Sequence, residues 1–187
     1  DATYPLQGNA GFLAENVNAR QPISAQANFT QIALSSLPSS EYVLYIDFDG
    51  DTITHPWWNN GNPISSAPHP QAANDSWVTA VWQRVAEDFA PFDINVTTDR
   101  SVYNSTPIAN RVICVATPTD TAQPNSGGVA FLGTFGDNVP CWAFNDTEYA
   151  CADTISHEVG HTLGLIHDGL AGELALDPND EYFDGHG

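Results

Sequence analysis

The chain has 187 residues, 42% of them apolar, enough for one domain with a real hydrophobic core. It carries 23 Asp and Glu against 4 Arg and no Lys, a net charge of −19. That charge repels nucleic acid and anionic membranes, and no apolar run approaches the roughly 18–20 residues of a membrane span. The acid excess supports either solubility in salty water, where ions screen self-repulsion, or calcium binding through carboxylates.

Residues 1–40 are polar and weakly patterned, and read as an N-terminal extension or the remnant of a pro-segment. The sequence opens with neither methionine nor a signal-peptide pattern, so a mature, processed product is expected. "EYVLYIDFDGD" then predicts a buried strand. Asp47, Asp49 and Asp51 alternate at its end and could bind calcium or simply close the strand in solvent. "HPWWNNGNPISSAPHP" predicts a loop, with Trp57 and Trp58 as packed anchors or an exposed patch, and His55 and His69 as loop residues.

The clearest amphipathic helix runs from Asn74 to Phe89. Trp77, Val78, Val81, Trp82, Val85 and Phe89 make its apolar face, Asn74 or Asp75 can cap it, and Pro91 stops it. "DINVTTD", Arg111–Ala116, "GGVAFLG" and "CWAFN" predict four further strands. A second helix is expected from Thr154 to about Leu163, capped by Asp153 or Thr154. This order predicts an α+β fold, a mixed twisted sheet backed by two helices with at least one antiparallel edge.

The three cysteines divide unequally. Cys114 lies in an apolar strand and is expected to be a free core thiol. Cys141 and Cys151, ten residues apart around a turn-like "FNDTEY", are expected to form a disulfide, which implies an oxidising, extracytoplasmic setting. Asp177, Asp180, Glu181 and Asp184 form a second acidic group with the same calcium reading, and His186 is expected to be a loop residue.

"HEVGHTLGLIHD", His157 to Asp168, carries the chemistry. On a helix His157 and His161 differ by about 40° in azimuth and 6 Å in rise, so both imidazoles can meet one metal. A continuous helix would carry His167 about 15 Å further on, out of reach. The helix must therefore end before His167, and Gly164 stands where the left-handed turn is needed. Three neutral histidines leave zinc's fourth position open, as at a catalytic site. Glu158, about 100° around the helix, reaches a bound water rather than the metal, as a general base does. Chance occurrence of the full spacing is on the order of 10⁻⁵, which disfavours a merely histidine-rich core helix.

This spacing is the signature of the metzincin zinc peptidases. Asp168, directly after the third histidine, resembles the adamalysin or reprolysin branch, with Asp168 behind the metal ligands. "YIDFDGDTIT", "WQRVAEDFAPFDINVTTD" and "GGVAFLGTFG" are similar to secreted bacterial reprolysin-like proteins. The resemblance implies a five-stranded sheet with two long helices, secretion, and peptide hydrolysis. It also implies an antiparallel edge strand, Gly128, Val129, Ala130, Phe131 and Leu132, that binds an extended protein or peptide substrate. The clan carries a methionine turn beneath the zinc, whereas this sequence holds no methionine. The expectation is a catalytic domain over 41–187, cut before that turn, with its C-terminal subdomain largely absent and its own cleaved C-terminal segment as a partner. The competing readings are a zinc-bearing fragment or zymogen that needs that segment, and a non-catalytic binding module stabilised by zinc. A thermolysin-like site would instead take Glu173 or Glu181 as third ligand, which His167 makes unnecessary.

Overall fold

The computed structural model describes residues 30–167. Residues 1–29, Asp168, Glu173, the acidic group at 177–184 and His186 lie outside the described residues. Five strands form a mixed sheet in the order β4-β1-β5-β7-β6: β1 Val43–Asp47, β4 Asn95–Thr97, β5 Arg111–Ala116, β6 Gly128–Val129 and β7 Cys141–Ala143. β6 alone runs antiparallel, against β7, while the other neighbours are parallel. β1 is buried along its whole length because helices and loops cover both its faces, which explains its unbroken apolar run.

Two long helices cover one face, α1 Asp75–Asp88 and α3 Glu148–Thr162. Val78, Val81 and Val85 of α1 join Leu44, Ile46, Val96, Val112 and Ile155 in this layer of the core. Asn74 caps α1 by accepting from the Trp77 amide. Alternate residues of the same strands, Tyr45, Ile113, Val115 and Trp142, point to the opposite face. There they pack under a two-stranded hairpin, β2 Thr52–Ile53 with β3 Ile64–Ser65. A short helix, α2 Arg100–Ser105, follows β4.

Three expectations need correction. The Cys141–Cys151 disulfide is not formed: all three thiols are unbonded and buried. The segment between these cysteines is not a tight turn but the passage from strand β7 into helix α3. Parallel pairing instead sets Cys141 opposite Cys114 on β5, and Cys151 packs into the core from α3. The strand foreseen in "GGVAFLG" is limited to Gly128–Val129. Beyond it Gly133 turns with φ +69°, and its amide bonds to the His161 carbonyl at 2.8 Å. Finally, α3 begins six residues before the expected Thr154, at Glu148, capped by Thr147.

Part of the presumed N-terminal extension belongs to the fold. The chain around Ser35 runs antiparallel to β4, with Ser36 N–H donating to Val96 O and Thr98 N–H to Leu34 O. Gln31 completes this seam: its Nε2 donates to Ile46 O and Thr98 O, and its Oε1 accepts from Phe48 N–H.

Candidate metal centre

The last turns of α3 build the centre. His157 and His161 share a helix face, and the helix then ends in a Schellman turn. Gly164 takes φ +93°, its N–H donates to His161 O, and Leu165 N–H donates back to Gly160 O. This reversal returns His167 to its partners. The Nε2 atoms of His157 and His161 are 3.0 Å apart, those of His157 and His167 3.1 Å, and those of His161 and His167 3.0 Å.

Four-coordinate zinc, with bonds of about 2.0–2.1 Å, spaces its imidazole nitrogens by about 3.3 Å, so the triangle fits one ion. The tautomers fit as well. His161 Nδ1 lies 2.8 Å from the Leu165 carbonyl, which can only accept, so Nδ1 carries the proton and Nε2 offers its lone pair. Burial, together with neighbouring His161 and His167, pushes the His157 pKa down to about 4, and burial lowers that of His167. Both rings are thus held neutral near pH 7, as metal ligands must be. Three imidazoles suit zinc, copper, iron or nickel, so the cluster could hold a metal ion and its geometry does not specify which.

Glu158, next to His157, is buried at 3% exposure. It faces β6 closely: a Cβ on Gly128 would lie 2.7 Å from Glu158 Oε1, 2.5 Å from Thr154 Cγ2 and 2.7 Å from Trp142 O. Only glycine lets the strand approach the glutamate here. Thr154, one turn before Glu158 on the same helix face, is held by Asn145, whose Nδ2 donates to Thr154 Oγ1 at 2.6 Å. The i, i+4 spacing from Glu158 was the available sequence signal for Thr154; Asn145 left none.

β6 is an edge with a defined hydrogen-bonding direction. Phe144 N–H donates to Gly127 O, which makes Gly127 and Val129 the residues that bond inward to β7. By the alternation of an antiparallel ladder, the N–H and C=O of Gly128 point outward, and Ala130 follows directly after the last paired residue, Val129. Ala130 packs towards the helices, and Phe131 joins Val129 on the opposite face. Leu132 is exposed in the following turn.

The first acidic triplet has a different organisation. Arg100 Nη2 bonds Asp51 at 2.6 Å and Asp47 at 3.3 Å, so a guanidinium supplies positive charge between them. Asp47 also accepts from the Asp49 and Gly50 amides. Burial pushes its carboxyl well above the usual range, and Asp49 adds to the shift. Arg100 was not foreseen as part of this cluster, and no sequence spacing marks it. His69 lies in a loop, as expected, and is buried there, stacked on Trp77 with ring centroids 4.4 Å apart. No protein-family model matches the chain, and no curated protein matches it.

Proposed function

We propose that the chain is a zinc-dependent endopeptidase of metzincin type, closest to the reprolysin-like branch, secreted and acting on extended protein segments. The observation that carries this reading is the triangle of Nε2 atoms within 3.1 Å, with buried Glu158 beside it and an open strand edge against Glu158. His157, His161 and His167 would hold the ion. When bound, zinc supplies Lewis acidity, polarising the scissile carbonyl and acidifying the attacking water. Glu158 takes that water's proton on its carboxylate and passes it to the departing amine. Its burial keeps the proton from bulk solvent. Gly128 holds the substrate backbone through its outward amide and carbonyl, which aligns the scissile bond. The Leu165 carbonyl keeps His161 in the ligating tautomer.

The competing reading is a zinc-bearing domain that becomes active only with a further segment. The zinc-loaded protein should cleave a quenched fluorescent peptide pool, stop when zinc is chelated, and recover when zinc returns. A metal-loaded protein that cleaves nothing, yet does so after adding a methionine-containing segment that co-purifies with it, would support the competing reading.

A further inference from the structure

Four aromatic rings form a continuous stack from the core to the surface beside β6. Trp142 of β7, completely buried, packs edge-on against Trp58 with centroids 4.7 Å apart. Trp58 packs on Phe131 at 4.5 Å, and Phe131 meets Trp57 edge-on at 5.3 Å. Trp57 ends the stack at 46% exposure. Its position is fixed from below. Trp58 Nε1 donates to Pro140 O, Trp57 N–H to His55 Nδ1, and Ile64 on the hairpin is buried in the same cluster. An exposed indole held this firmly loses little conformational entropy when a ligand covers it.

The direction of β6 decides what the indole meets. Val129 and Phe131 pack on one sheet face and Ala130 on the other, so a peptide that pairs with the outward groups of Gly128 and continues alongside Ala130 faces Val129 and Phe131 on their shared side. Side chains of such cross-strand pairs lie about 4.5–5.5 Å apart at Cβ and on the same sheet face. The peptide residue opposite Phe131 therefore points at the Phe131–Trp57 shelf, while those opposite Gly128 and Ala130 point towards α3. Antiparallel pairing, the more stable arrangement, sets the shelf residue about three positions N-terminal to the one facing Gly128.

We propose that Trp57 and Phe131 form a subsite for an aromatic side chain of an extended peptide, on the N-terminal side of the bond that lies at the metal. The inference rests on the endopeptidase reading only for the identity of the peptide as substrate. Edge-to-face contact with a desolvated ring favours an aromatic residue over a small polar one by about tenfold.

The test uses the zinc-loaded protein and a positional-scanning decapeptide library, with cleavage products sequenced by mass spectrometry. In parallel, zinc-loaded Glu158→Gln is used to retain uncleaved peptides. Phe, Tyr and Trp should be enriched about tenfold at one N-terminal-side position in both arms. Trp57→Ala should flatten that preference and Trp57→Phe should keep it. Cleavage with a flat profile, enrichment of Lys or Arg, or a preference that survives Trp57→Ala would overturn the subsite and leave the hydrolytic reading standing. Trp57-dependent retention of aromatic peptides without cleavage by the parent protein would support the subsite and remove the hydrolytic reading. A protein that neither retains nor cleaves any peptide would overturn both.

Discussion

At the β4 edge of the sheet, the chain around Ser35 lies antiparallel to the strand and takes up its outward groups. Ser36, Leu34 and the Gln31 amide make the bonds. At the β6 edge the strand is two residues long, and no other segment among the described residues pairs with its outer side. A bare edge invites unwanted pairing, and proteins generally cover or shorten theirs. Here one edge is covered by the chain's own N-terminal approach, and the other is shortened but open where Gly128 admits Glu158. On the proposed reading, the covered β4 edge serves stability and the open β6 edge serves binding beside the histidines.

Variants at the two edges should separate these roles. Glu158→Gln at the open edge should lower hydrolysis by about 10²–10⁴-fold while zinc content stays at one per chain. Measured kcat and elemental analysis check this, and loss of metal together with activity would recast Glu158 as structural. Gly128→Ala puts a methyl within 2.7 Å of Glu158, Thr154 and Trp142. It should reduce kcat/KM by about 10²-fold and stability by about 1–3 kcal/mol, read by peptide kinetics and denaturant melts. On the covered edge, Gln31→Ala removes a side chain that makes three buried hydrogen bonds. It should cost about 2–3 kcal/mol in a urea melt with unchanged turnover per folded molecule. Reduced turnover would show that the edges are coupled. Asn74→Ala, at the cap of α1, should cost only about 1 kcal/mol and leave both functions intact.

What the sequence disclosed follows the same division. α1 was legible because Val78, Val81 and Val85 recur on one stripe and Asn74 and Pro91 bracket it; the observed helix, Asp75–Asp88, lies within the expected bounds. β5 was legible as a continuous apolar run and spans the expected residues. α3 was harder to bound, because its buried face is made of Cys151, Ala152, Glu158, Gly160 and Thr162 as well as Ile155 and Val159. Small and polar residues there serve close packing and chemistry, and they blur the helical period. The return of His167 was legible because metal distances and helix rise leave no other solution. Cysteine pairing was not, because closeness in sequence says nothing about which strands are neighbours; β7 lies beside β5, and Cys141 meets Cys114 there. The β2–β3 hairpin and α2 were also hidden, as two-residue strands and a six-residue helix carry almost no periodic signal.

Zinc K-edge X-ray absorption on the zinc-loaded protein reads the proposed ligand set of His157, His161 and His167 itself. Three imidazole nitrogens and one oxygen at about 2.0–2.1 Å are expected, with loss of one imidazole in His167→Ala. A sulfur shell near 2.3 Å, or a His167→Ala spectrum identical to the parent's, would contradict that ligand set.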